Sequence, residues 1–387
     1  MTSGHIRRRG ERSWELKFDD GRDPATGKRI IRYHSFKGTR RDAERKLTEL
    51  LKARDDGVYV EPSKLTVAEY VRARVDQWEA AGDISPKTAE RYRELVENQI
   101  VPHLGAKLLQ KLKPADFEAW HTTLKATGRK DGAGGVSART IGHAHRILKK
   151  AFGEALKNDL ITKNAAASQR APKVEAEEMV ILANEQVKAL LPALTGRPIY
   201  APAVVALFTG LRRGELLALR WSNVDLDASV ALVREALEET KAGIRFKAPK
   251  TKNGVRDITL PDLVVEVLRD HRRQQLEQRL ALGVGKLPDD ALVFPGPNGG
   301  PQSPRDLSTL WAQEAARVSL EAVTFHALRH THASQLIDAG VDIVTISRRL
   351  GHASPNVTLA IYAHLFRKSD DKAAQAINAA LAGLTAS

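Results

Sequence analysis

Between Thr324 and Leu365 the sequence gathers side chains able to hold an anion and attack it. The stretch reads T-F-H-A-L-R-H-T-H-A-S-Q-L and, further on, R-L-G-H-A-S-P-N-V-T-L-A-I-Y-A-H-L. His326 and Arg329 are three residues apart, a spacing that shares one face of a helix. Leu350-Gly351-His352 predicts a helix end, with Gly351 in the left-handed cap position. Ser354 then predicts an N-cap and Pro355 the first position of the next helix, which puts Tyr362 two turns along it. Consecutive helices thus present an imidazole, a guanidinium, a second imidazole and a phenol.

These residues carry a family likeness. H-A-L-R-H, then L-G-H, then a tyrosine ten residues on resembles the C-terminal signature of the tyrosine recombinases, the phage integrase family. The earlier T-G-L-R-R-G-E-L-L-A-L-R-W (209–221) is similar to that family's first arginine box. The likeness covers the C-terminal half in detail and the N-terminal half in outline. An extra N-terminal segment resembles the integrases of phages and integrative elements.

The resemblance implies cleavage of a DNA phosphodiester by transesterification, with Arg212, Lys250, His326, Arg329, His352 and Tyr362 as the catalytic set. Tyr362 is then the nucleophile, a phenol of reference pKa about 10 that needs help from its neighbours. Arg212 and Arg329 are the phosphate clamp, because a planar, permanently charged guanidinium donates two parallel hydrogen bonds to a phosphoryl group. Arg213 competes with Arg212; the family pattern G-L-R selects Arg212, with Glu215 one turn on to orient it. The family carries its general acid on a β-hairpin, where P-K-T-K-N-G-V-R offers Lys250 and, as a competitor, Lys252. His326 and His352 are implied to contact non-bridging oxygens or move protons near the tyrosine. His330, His332 and His364 fall outside the pattern.

Other chemistries are poorly supported. His326 and His330 have zinc-pair spacing, but H-A-L-R-H lacks the glutamate of H-E-x-x-H, and Arg329 would set a cation beside the metal. No G-x-x-x-x-G-K-[ST] loop is present. A phosphotyrosyl intermediate conserves bond energy, so no cofactor, metal or ATP is expected.

Several elements must position these residues. Ser13–Phe18 and Lys28–Phe36 read as strands around a turn at Asp19–Gly27, with Gly4–Arg9 as a third strand. Thr39–Asp55 reads as a helix. This module, 1–60, resembles an arm-type DNA-binding module. Residues 61–168 read as four helices (Thr66–Ala80, Ser85 to about Ile100, Lys113–Leu124 and Ser137–Asn158) and resemble the family's core-binding domain. A linker is expected over 169–183 and a catalytic domain over 184–387. There Asn184 is expected to cap a helix to Leu194, followed by helices Pro198–Thr209 and Arg213–Trp221. A small antiparallel sheet follows between Val224 and Pro261, with V-A-L-V-R-E-A-L as one strand. Helices Pro261–Leu282 and Arg305–Arg317 lead to the signature, and an amphipathic tail helix over Asp371–Leu384 closes the chain. The expected fold class is multidomain and mainly α with small β-sheets, its catalytic domain mixed α+β.

The composition agrees. The chain has 387 residues, a formal net charge of +14 and no cysteine. That basic excess favours a polyanionic partner, and no apolar run approaches the ~20 residues of a membrane span. Lack of cysteine excludes disulfides and thiolate chemistry and fits the cytoplasm, and the resemblance implies a bacterial host cell. The expectation is a site-specific recombinase that acts as a homotetramer on double-stranded DNA attachment sites, with DNA-bending or directionality proteins as possible accessories. It would pass through a 3′-phosphotyrosyl link and a Holliday junction to integrate and excise a mobile element, and the tail helix resembles the segment that family members pass to a neighbouring subunit. The alternatives are a type IB topoisomerase-like enzyme and a DNA-binding protein that does not cut.

Overall fold

The computed structural model describes residues 4–175, 179–249, 252–366 and 370–382. It divides into two units, Met1–Glu175 and Ala176–Ser387.

The first unit opens with strands β1 (His5–Gly10), β2 (Ser13–Arg22) and β3 (Arg29–Lys37), antiparallel in that order. Alternation sends Leu16 and Phe18 to one face, where they bury against Ala43, Leu47 and Leu50 of helix α1 (Arg40–Asp55). Thr39 starts α1 by accepting from the Asp42 N–H, while the Asp42 carboxylate accepts from the Thr39 N–H. β2 runs past the expected turn at Asp19. Gly21, at φ +92°, permits a break in register, and Asp19 reaches Arg29 across the hairpin, so the turn contracts to the residues between Arg22 and Arg29. The opposite face of the sheet sets His5, Lys17 and Tyr33 in one cross-strand row and Arg7, Glu15 and Ser35 in the next.

Helices α2 (Val67–Ala80), α3 (Pro86–Leu95), α4 (Val101–Leu104), α5 (Pro114–Thr127) and α6 (Ala138–Lys157) complete this unit. A π turn, Val96–Ile100, joins α3 to α4, so they form one continuous element. Their common core includes Val71, Val75, Trp78, Ile100, Phe117, Trp120, Ile141, Leu148 and Phe152. The two indole N–H groups find acceptors, Trp78 on Glu154 at 2.8 Å and Trp120 on the Gln99 carbonyl at 2.7 Å.

The second unit begins with α7 (Asn184–Leu194), α8 (Tyr200–Thr209) and α9 (Arg213–Leu217). Asn184 is the first helical residue rather than the cap; Ala183 takes the cap position, its N–H bonded to Gln186. α9 stops well before Trp221. The Leu219 carbonyl accepts from the Val293 N–H at 2.8 Å, and the Trp221 N–H donates to the Ala291 carbonyl at 2.9 Å, so this backbone pairs sideways instead of continuing the helix.

Strands β4 (Val224–Asp225), β5 (Val230–Val233), β6 (Ala236–Thr240), β7 (Gly243–Lys247) and β8 (Arg256–Thr259) follow. The run V-A-L-V-R-E-A-L is two strands, not one. β5 joins a three-stranded sheet in the order β4-β5-β8, while β6 pairs with β7 as a separate hairpin, so the described residues hold two small sheets here where one was expected. Then come α10 (Asp262–Ala281), α11 (Pro304–Arg317), α12 (Phe325–Asp338), α13 (Ile343–Leu350), α14 (Pro355–Phe366) and α15 (Asp370–Ala382). A large core centred on α8 and α12 holds the unit, and a smaller cluster of Ala333, Ile337, Ile346, Leu350 and Tyr362 joins α12, α13 and α14.

Candidate active site

Three consecutive carbonyls at the end of α13 each receive a different arginine. Arg256 Nε donates to the Arg349 carbonyl at 2.7 Å, Arg329 Nη2 to Leu350 at 2.6 Å and Arg212 Nη2 to Gly351 at 2.9 Å. The last carbonyls of a helix have no partner inside it and carry the negative end of its dipole, so cations gather there. Gly351 makes the arrangement possible. It caps α13 at φ +64°, and an added Cβ would stand 2.7 Å from Arg256 Nη1. The left-handed glycine expected from L-G-H is therefore present, and its missing side chain leaves room for a guanidinium.

Arg329 is buried, 3% exposed, and its Nη1 also donates to the Gly210 carbonyl at 2.6 Å. Gly210 ends α8 in the same left-handed way, at φ +67°. Burial, with the charge of Arg212 nearby, pushes the Arg329 pKa down to about 9, and the side chain stays cationic at neutral pH. Arg212 is more open, with 39% of its side chain exposed. Its Nη1 rests on Glu215 at 2.7 Å, and Glu215 also accepts from its backbone N–H. Arg213, the competitor, turns away and donates to Ser308 on α11. Glu215 is buried; burial alone would raise its pKa, but the hydrogen bond from Arg256 and the charges of Arg256 and Arg212 hold it below the usual value.

His352 is buried directly after Gly351, its Nδ1 2.7 Å from Thr358 Oγ1 on α14. Desolvation and then the charges of Arg329, Arg212 and Arg256 lower its pKa to about 4, so the ring is neutral at pH 7. His326 and Arg329 do not share one environment despite their spacing. Arg329 turns into the core, while His326 stays open to solvent at its edge and packs across the His330 ring, centroids 4.7 Å apart. The protein packed around His326, followed by the charges of Arg329, Arg212 and Arg213, lowers its pKa. Lys250 and Thr251 lie outside the described residues, as does the Lys252 side chain.

Tyr362 is 1% exposed, and desolvation raises its pKa to about 12 against the opposing charges of Arg329 and Arg212. Its hydroxyl lies 2.8 Å from His330 Nδ1. His330 falls outside the sequence pattern, and the structure brings it to the phenol. The signal that could have found it is the four-residue step from His326, which stacks the two imidazoles on adjacent turns of α12. Burial, then His326 and Arg329, lowers the His330 pKa to about 4. His332 belongs to the frame instead; it is buried and accepts from Arg349 Nε at 3.0 Å. Among the described residues no three His, Cys, Asp or Glu side chains come together as a metal site, and no helix is long and apolar enough to cross a membrane.

The site therefore holds two arginines beside a neutral imidazole, with a phenol packed behind them. That can bind a tetrahedral anion and supply an oxygen nucleophile. Comparison with known proteins agrees. The family described as phage integrase matches residues 181–369, and its N-terminal SAM-like domain matches 72–125. An integrase of Streptomyces ambofaciens is 31% identical, with 90% of this chain and 88% of that protein covered. A XerC-like tyrosine recombinase of Caldanaerobacter subterraneus is 26% identical over 95% of this chain and 96% of that protein. Among solved structures, the Tn1549 transposon integrase in complex with transposon right end DNA is 25% identical, with a TM-score of 0.66 over 81% of this chain and 100% of that one. A lambda integrase dimer bound to a COC′ core site shares the fold at 20% identity, with a TM-score of 0.53 over 91% of each chain. The chain belongs to the tyrosine recombinase family, the phage integrases, and is a site-specific DNA recombinase.

Proposed function

We propose that this recombinase integrates and excises a mobile element, and that Tyr362 is its nucleophile. The phenolic oxygen gives its proton to His330 Nδ1, 2.8 Å away, and forms a bond to the scissile phosphorus as the bond to the 5′-oxygen breaks, leaving a 3′-phosphotyrosyl link. Lys250 gives the departing 5′-oxygen its proton. The freed 5′-hydroxyl attacks the partner strand, and two rounds through a Holliday junction complete the exchange. Arg212 and Arg329 take up charge that grows on the non-bridging oxygens, the interaction that contributes most to such reactions. His326 and His352 complete the oxygen contacts. The observation that carries this reading is the convergence of Arg212 and Arg329 on one helix end, close enough that both charges act on Tyr362.

Tyr362 is buried and, titrating at about 12, protonated at neutral pH, so it loses its proton only as it attacks. Docked DNA has to open this packing before attack. The N-terminal sheet face, with Arg7, Lys17 and the exposed Tyr33, is suited to a second, arm-type DNA contact. The working assembly is a homotetramer on two attachment sites in the bacterial cytoplasm, with the tail helix α15 passed between neighbours. The Tn1549 integrase solved with transposon right end DNA and the lambda integrase tetramer solved on a Holliday junction fit that assembly.

Covalent trapping tests the reading. DNA flanking the gene is incubated with wild type and with Tyr362→Phe, denatured and searched for protein–DNA adducts. An adduct formed only by wild type, mapped to Tyr362, is expected. DNA bound specifically and relaxed or released with no such adduct would overturn it.

A further inference from the structure

Arg256, the first residue of β8, belongs to neither signature box, yet its side chain is only 7% exposed and all three of its guanidinium nitrogens donate hydrogen bonds. Nη2 donates to Glu215 Oε2 at 2.9 Å, Nη1 to Glu215 Oε1 at 3.3 Å and to the Gly254 carbonyl at 3.1 Å, and Nε to the Arg349 carbonyl at 2.7 Å. It therefore ties together α9, which carries Glu215, the turn Lys252–Gly254 that leads into β8, and the end of α13 that seats Arg329 and Arg212. Glu215 is shared: one oxygen takes Arg212 Nη1 at 2.7 Å while both face Arg256.

We infer that Arg256 is a positioning residue for strand cleavage: it shares the charge of Glu215 with Arg212, so that the cluster keeps a surplus of positive charge for the scissile phosphate. This rests on the reading of Arg212 and Arg329 as the phosphate clamp. The cluster formed by these three arginines and Glu215 carries a surplus of two positive charges. Without Arg256 the surplus falls to one, and the buried carboxylate has only Arg212 left to satisfy it. Arg212 would then be drawn onto Glu215 and away from the phosphate. A lone buried carboxylate is also costly, so loss of Arg256 alone strains the fold as well as the clamp. Removing the carboxylate charge together with Arg256 relieves both.

The test uses the full-length chain and the attachment-site duplex recovered by covalent trapping. The duplex is prepared with either a natural phosphodiester or a neutral methylphosphonate at the scissile position. Wild type, Tyr362→Phe, Arg256→Met and the double variant Arg256→Met/Glu215→Gln are compared, with thermal melting to check that each folds. Arg256→Met is expected to cleave the phosphodiester roughly tenfold or more slowly than wild type, with a much smaller deficit on the methylphosphonate, which brings no charge to neutralise. The double variant, whose clamp regains its charge surplus, is expected to recover most of the phosphodiester rate. Equal deficits on the two substrates overturn the inference, because a merely structural role slows both alike. A folded double variant no faster than Arg256→Met overturns it too, and if Arg256→Met does not fold, a folded but inactive double variant does so alone. Failure of wild type to form any Tyr362 adduct would instead sink the underlying reading of the clamp.

Discussion

Replacing Tyr362 by phenylalanine and by alanine separates its chemistry from its packing. The ring is fully buried among Ala333, Ile337, Ile346 and Leu350, and among the described residues the hydroxyl bonds to His330 at 2.8 Å. Phenylalanine keeps the ring and loses that bond, a change worth about 0.5–1.5 kcal/mol. Alanine loses the ring and leaves a cavity where α12, α13 and α14 meet, which costs about 3–5 kcal/mol. Because α14 is held mainly by this small cluster, the cost falls on its local opening. Hydrogen exchange of the α14 amides in the full-length chain reads that opening directly. At about 1.4 kcal/mol per factor of ten, Tyr362→Phe should speed exchange by about tenfold at most, and Tyr362→Ala by hundreds to thousands of fold. Amides of the α8 core should be unaffected by either. A hundredfold acceleration in Tyr362→Phe would refute the reasoning, since the hydroxyl rather than the ring would then be what seats α14. Little effect in Tyr362→Ala would refute the burial itself.

Three further outcomes follow from the same site. His330, His332 and His352 all titrate at about 4 or below in the folded chain, against 6.5 when unfolded, so the unfolded state binds more protons between those values. Stability is therefore full above about pH 6.5 and is lost as pH falls towards 4; urea midpoints at pH 7.5, 6 and 5 should descend, and a flat series would contradict these burials. Gly351→Ala places a Cβ against Arg256 at a φ of +64°, and should cost at least the ~1–2 kcal/mol of a left-handed side chain while slowing cleavage, read by melting and by adduct formation. A duplex with sulfur in place of the 5′-bridging oxygen needs no proton for its leaving group, so it should restore cleavage to Lys250→Ala; restoration of Lys252→Ala instead would assign the acid to Lys252.

Where a local signal agrees with its surroundings, the sequence was easily read. Ser85-Pro86 and Leu350-Gly351 each mark a helix end through adjacent residues, and each end lies where those residues put it. The features that the sequence does not show depend instead on distant partners. The helix expected to run to Trp221 stops at Leu217 because residues 291–293, seventy positions away, take its backbone hydrogen bonds. The run 230–237 divides because β8 claims its first half and β7 its second, and alternation alone cannot show two partners. His330 was passed over for the same reason. Its partner is 32 residues distant, and nothing in H-A-L-R-H tells which imidazole faces a phenol on another helix.

The glycines of the two signature boxes have a common physical explanation. In G-L-R, Gly210 ends α8; in L-G-H, Gly351 ends α13. Each adopts a left-handed conformation open to glycine at little cost, and each leaves a helix terminus with carbonyls that need donors. Arg329 bridges the two ends, with one nitrogen on Gly210 and the other on Leu350, and Arg212, two residues past the first glycine, reaches the second. The negative ends of two helices thus hold the two cations in place. A side chain at either glycine would meet a neighbour at 2.7 Å, His332 in one case and Arg256 in the other. The spacing of glycine and arginine in these boxes therefore follows from seating two guanidiniums on helix ends, with backbone oxygens as their fixed points.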